Sequence, residues 1–109
     1  MPEEFYRFQG PSAFGDYYIP KRMEPSILAY VNDGRLPGDF LTAVLCNDLE
    51  EACKRADGEN LRNLPAFVAY FHNEIPGNIW GSREKVTRYV EAKHKERALF
   101  GTIAGAQTA

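Results

Sequence analysis

Apolar residues recur at helical spacing from about residue 24 onward, whereas the first 22 residues crowd aromatic rings between glycines and prolines without that period. The clearest run is Pro37-Gly38-Asp39-Phe40-Leu41-Thr42-Ala43-Val44-Leu45-Cys46-Asn47-Asp48-Leu49. It carries a start signal at Pro37-Gly38 and an acid in the first turn, where the positive helix end favours it. The pattern predicts a central helix over about 38–56. At about 100° per residue, Leu41, Val44, Leu45, Leu49, Ala52 and Ala56 share one face. Asp48 falls inside that face and Asn47 on its flank beside Phe40, while Glu50, Lys54, Cys46 and Cys53 look away.

Three further helices follow from the same signals. The first opens at Glu24-Pro25, with proline at a tolerated first-turn position, and runs through Ile27, Leu28, Tyr30 and Val31 to a stop at Gly34. The connection Arg35-Leu36-Pro37-Gly38 is short, so the first two helices are near neighbours. After the central helix, Asp57 is a good N-cap for a third helix that extends to about Glu74. Its expected apolar face is Leu61, Leu64, Val68 and Phe71, flanked by Phe67, with His72 on the same face and a kink at Pro65. Pro76-Gly77 ends it, and Asn78-Ile79-Trp80-Gly81 forms a loop ahead of Ser82, the expected cap of a fourth helix. That helix turns Val86, Tyr89 and Val90 inward and Arg83, Lys85, Arg88, Lys93, Lys95 and Arg97 outward, with Glu84, Glu91 and Glu96 interspersed.

These elements predict an all-α fold, a compact four-helix domain over 23–98. The central helix and the third run antiparallel in it. Residues 1–22, with Phe5, Tyr6, Phe8, Phe14, Tyr17 and Tyr18, are expected as an extended aromatic arm with a turn near Gly10-Pro11. The arm cannot bury its own rings, so it lies across its own domain or against another chain. Residues 99–109 are small and featureless and are expected as a loose tail.

Composition narrows the function classes. The chain has 109 residues, one domain's worth, with 44% hydrophobic and 26% charged residues as in ordinary soluble proteins. A net charge of -2 gives no general attraction to nucleic acid or anionic membrane, and the glutamates dilute the basic stripe of the fourth helix. Cys46 and Cys53 lie roughly 10 Å apart along the predicted helix, too far to bridge, which suits a reducing compartment. No zinc-type spacing, membrane-length apolar run or signal peptide is present, so a cytoplasmic protein without a metal or cofactor is expected.

Asp48 is the most informative single residue, because a carboxylate on an inward face must find hydrogen bonds or a cation. It either accepts bonds from the start of the fourth helix, pairs with Arg55 or Arg35, or floors a polar pocket with Asn47, Asn60 and His72. Asp48 and His72 together are the minimal kit for proton transfer, but no nucleophile accompanies them and no catalytic motif occurs. Trp80-Gly81-Ser82-Arg83 reads as a plug and cap, or as an anion site built from helix-start amides, Arg83 and an aromatic face. The candidate binding residues are therefore Arg35, Asn47, Asp48, Asn60, His72, Trp80, Ser82 and Arg83, with none assigned to catalysis or metal binding.

The succession Ile19-Pro20, Arg22-Met23, Tyr30, Gly34, Pro37-Gly38, Phe40 to Leu45, Asn47-Asp48-Leu49, Ala56-Asp57, Asn60, Asn73, Pro76 and Trp80-Gly81-Ser82 with Val86 resembles a family of small bacteriophage- and prophage-encoded proteins. The resemblance covers about residues 19–92 and leaves the arm and tail outside it. His72 stands where that pattern carries an aromatic residue such as tyrosine. The family has no assigned activity, so the resemblance implies a context. Small phage proteins of this size act by binding: they inhibit or sequester a host factor, a protein or a small anionic signalling nucleotide, or serve as accessory proteins. A non-enzymatic counter-defence protein, homo-oligomeric and in the bacterial cytoplasm, is the expectation. A small hydrolase using Asp48 and His72, or a nucleic-acid-binding accessory protein, is the alternative.

Overall fold

The aromatic N-terminal segment is a β-hairpin, which overturns the all-α expectation: the fold is mixed α/β. The computed structural model describes residues 3–10 and 15–108, with side chains as far as residue 99. Strands β1 (Glu4–Gln9) and β2 (Asp16–Pro20) pair antiparallel, with Tyr6 opposite Ile19, Arg7 opposite Tyr18, Phe8 opposite Tyr17 and Gln9 opposite Asp16. The physical reason is that an unpaired arm would have to bury backbone amides along with its rings. Pairing satisfies those amides and puts Tyr6, Phe8, Tyr17 and Ile19 against the core. On the opposite face Arg7 bonds Glu4 and Asp16. Pro11 of the expected turn and Phe14 lie outside the described residues.

A single 3₁₀ turn, Lys21–Met23, leads into α1 (Glu24–Asp33), which ends as expected at Gly34 in the left-handed conformation, φ 67°. The predicted central helix is two helices, α2 (Asp39–Leu45) and α3 (Leu49–Arg55). Asn47 takes φ 59°, and Asp48 becomes the N-cap of α3, its Oδ1 accepting the Glu51 N–H at 3.2 Å. Short polar side chains that hydrogen-bond their own backbone favour caps over helix interiors, and two in succession end the helix.

The predicted third helix also divides, into α4 (Gly58–Arg62) and α5 (Leu64–Glu74). Pro65 therefore sits in a first turn, where a missing N–H costs nothing, and does not kink a longer helix. The buried stripe of α5 is Ala66, Phe67, Ala69, Tyr70 and Phe71. Leu61 and Val68, expected inside, are 46% and 45% exposed, and His72 is exposed too. Helix α6 (Arg83–Thr108) begins where Ser82 predicts but its backbone continues through the tail that was expected to be loose.

The core joins Ile19 of β2, Ile27 and Tyr30 of α1, Phe40, Leu41, Val44 and Leu45 of α2, and Phe67 and Phe71 of α5. Its ring contacts are edge-on or tilted: Phe40 on Phe67 at 5.0 Å, Tyr30 on Tyr89 at 5.3 Å, and Phe5 and Tyr6 on Tyr70 at 5.1 and 5.2 Å. The arm is thus packed on its own domain. Burial holds the Tyr30 phenol well above its ordinary titration range, and its hydroxyl donates to the Ile79 carbonyl.

Candidate functional site

The corner between α2 and α3 gathers five of the candidate residues. Because α2 stops at Leu45, the Leu45 carbonyl lies free of a helical partner, and the Gly81 N–H donates to it at 2.7 Å. That bond ties the loop before α6 to the end of α2. It sets Trp80 beside Asn47 and Asp48 in one shallow cleft of about 30 Å³, which Leu49, Leu64 and Val68 complete. Trp80 packs on Phe71 at 5.7 Å between ring centres and is half-buried. Ser82 Oγ accepts the Lys85 N–H at 3.2 Å and so caps α6, and Lys85 Nζ reaches back to the Gly77 carbonyl at 3.0 Å.

Arg83 opens α6 and borders a second hollow of about 240 Å³ with Leu36, Thr42, Cys46, Val86 and Thr87. Burial pushes the Cys46 thiol up from its ordinary value, with the Arg83 cation pulling the other way. Arg83 is exposed and makes no ion pair among the described residues, and Glu91 lines the same hollow. Thr42 spends its hydroxyl on the Pro37 carbonyl at 3.1 Å.

The other three candidates are elsewhere. Asn60 is buried on α4, its amide nitrogen 3.7 Å from Met23 Sδ and its Oδ1 without a partner. His72 lines a separate apolar trough with Phe8, Leu64, Pro65 and Val68. Arg35 is exposed in the link from α1 to α2. Asp48 therefore has neither Arg55 nor Arg35 as a partner: Arg55 pairs with Glu51 at 3.4 Å and Asp39 at 3.7 Å. No hydrogen bond joins Asp48 to His72, and the two line different clefts. Among the described residues, no group of three or more His, Cys, Asp or Glu converges as a metal site would.

Sequence reasoning missed a polar cluster that fastens the hairpin to α4. The Tyr18 hydroxyl donates to Glu59 at 2.8 Å, and its backbone N–H donates to Asn63 Oδ1 at 3.0 Å. Arg22 bonds Asp57 at 2.9 Å and Glu59 at 3.0 Å. The Tyr18 hydroxyl, then Arg22, holds the Glu59 carboxyl below its ordinary value. Asp57 is lowered chiefly by the Asn60 N–H it accepts, and by Arg22. The signal was a strand partner for Tyr18, which an unpaired arm does not supply.

No protein-family model, curated protein or solved structure matches the chain. No helix among the described residues is long and apolar enough to cross a membrane.

Proposed function

We propose that this is a non-enzymatic binding protein of phage type that occupies or sequesters a host factor in the bacterial cytoplasm, and that the α2–α3 corner is its contact face. The observation that carries the reading is Asn47. It is the one non-glycine residue at positive φ among the described residues, and its side chain is exposed. Asparagine tolerates that backbone better than most residues but less well than glycine, so the position favours an outward amide over the least strained backbone. Strain of this kind concentrates at working surfaces. The Trp80 ring shares the cleft of Asn47, and Arg83 borders the neighbouring hollow, where Glu91 also lies; a ring face and a guanidinium suit an anionic, planar ligand such as a nucleotide. The cleft at Trp80 admits about one water, so the ligand lies over the corner and is not engulfed by it.

Native mass spectrometry of the protein recovered from infected cells, followed by calorimetric titration of the retained nucleotide or protein, tests the reading. Asn47→Gly is expected to keep or raise the melting temperature and to weaken binding at least tenfold; Arg83→Glu is expected to abolish it. Binding that survives both changes refutes the assignment of the corner. Turnover of any nucleotide by the purified protein, lost in Asp48→Asn, refutes the non-enzymatic reading.

A further inference from the structure

The hairpin has two edges, and they are treated differently. On the β2 edge the Tyr18 N–H points away from β1 and is taken by Asn63. In an antiparallel ladder a residue whose N–H points outward belongs to a non-hydrogen-bonded pair, and so does the residue opposite it. Arg7 is opposite Tyr18. The Arg7 N–H and carbonyl therefore point out from the β1 edge, and by the two-residue alternation so do those of Gln9. Among the described residues no strand pairs with that edge, since the sheet holds β1 and β2 alone.

This half of β1 is lightly guarded. Edge strands are protected by shortness, charged side chains, proline, inward charges or bulges, and of these it has its short length and the one charge of Arg7. Here Arg7 is turned to the outer face by Glu4 and Asp16, the stretch Arg7-Phe8-Gln9 holds no proline, and the one register irregularity falls between Glu4 and Tyr6. Directly beside the edge runs the trough of about 560 Å³ lined by Phe8, Leu64, Pro65, Val68 and His72, with no carboxylate, lysine or arginine in its wall.

We infer that the β1 edge pairs with the β1 edge of a second copy, closing both troughs beneath a four-stranded sheet. Three features favour a second copy over another occupant. With Phe8 on the two-fold axis, Arg7 faces Gln9 of the other copy, and each pair exchanges both N–H···O bonds. This register keeps the two Arg7 side chains apart and sets each beside the uncharged Gln9, while each Arg7 stays paired with Asp16 of its own hairpin, so no like charges meet at the seam. It also places Tyr6 opposite Gly10, which has no side chain to clash. Finally, α5 packs beneath both strands of its own hairpin. Two such helices would be two strand spacings apart, roughly 10 Å, which is the distance at which helices pack. The exposed Val68 and the half-buried Leu64 would meet their counterparts there.

This inference goes beyond the host-factor reading and does not rest on it. The test is the solution mass of the full chain by light scattering across micromolar concentrations, with far-UV circular dichroism to establish folding. Wild type is expected at two chain masses of 12.3 kDa, or an even multiple. Arg7→Pro removes an outward N–H without touching the internal ladder, a place where edge strands accept proline. Val68→Glu puts two carboxylates into the seam from a position exposed in the single chain. Each is expected to halve the mass, whereas Arg7→Ala, which keeps the N–H, leaves it unchanged. A wild-type mass of one chain overturns the inference and leaves the edge to an extended segment of another protein. An odd number of chains, folded variants at the wild-type mass, or dissociation by Arg7→Ala overturns it equally.

Discussion

Substitutions at Asp48 separate a helix cap from a carboxylate on a continuous helix face. In the structure one carboxylate oxygen accepts the Glu51 N–H, and the side chain is only partly buried. Removing an N-cap acceptor costs about 1 kcal/mol, within a range of roughly 0.5–2. Asparagine caps nearly as well, and the lost negative charge at the positive end of a short, solvent-exposed helix adds a few tenths of a kcal/mol at most. Asp48→Ala is therefore expected to lower the melting temperature by roughly 4–8 °C, given the entropy of unfolding of a chain this size. Asp48→Asn should stay within about 2 °C of wild type by the same conversion. Asp48→Leu is the sharpest member of the series. On a continuous helix over 38–56 it would complete the apolar face and stabilise; at a cap it removes the acceptor and exposes an apolar side chain, and it should destabilise by at least as much as alanine. Thermal unfolding followed by circular dichroism, with urea midpoints as a check, measures all three. Stabilisation by leucine, or asparagine as damaging as alanine, would refute the assignment of Asp48 as a cap.

Three further outcomes follow from single contacts. Tyr30→Phe leaves the buried Ile79 carbonyl unpaired and should cost about 1–3 kcal/mol; Tyr89→Phe should cost less in the same urea titration, because water can reach the half-buried Val31 carbonyl it serves. Gly34→Ala forces a left-handed residue and sets a Cβ 2.5 Å from that of Lys93, so it should cost more than about 1 kcal/mol, while Gly77→Ala, with open space around it, should be nearly neutral. Acid should loosen the attachment of the hairpin. Glu59 and Asp57 titrate below their ordinary values of 4.5 and 3.8, so their contribution is present above those values and is lost as pH falls through the lowered ones. Glu59→Gln should therefore flatten stability against pH in that acid range, measured by melting temperature at successive pH values; an unchanged slope would show that the cluster does not couple to folding.

Much of the helical framework was legible because its signals are local. Gly34 and Ser82 mark α1 and α6 through backbone chemistry that does not depend on neighbours, and the structure places both where the sequence put them. The errors came from periodicity carried across residues that end helices. Asp48 looked inward only on the assumption that the helix continued through Asn47, and Leu61 and Val68 looked buried only on the assumption that residues 58–74 turn as one unit. The hairpin was missed for the opposite reason. Tyr6, Phe8, Tyr17 and Ile19 alternate with outward residues as strands require, but each strand is short and its partner lies across a connection whose register no local signal fixes.

The candidate site depends on the same break that misled the periodicity. In an unbroken helix the Leu45 carbonyl would accept the Leu49 N–H, four residues on. Asn47 in the left-handed region and Asp48 as a cap end that succession, and the freed carbonyl is taken instead by Gly81. That bond, with the Tyr30 hydroxyl on the Ile79 carbonyl and the packing of Trp80 on Phe71, holds residues 79–83 at the corner, so the residues that stop α2 help to assemble it. Asp48 is in this sense a positioning residue: it starts α3, and one of its two carboxylate oxygens accepts the Glu51 N–H. The Asn47 amide, the half-buried ring of Trp80 and the second oxygen of Asp48 border one cleft, and the Arg83 guanidinium borders the next.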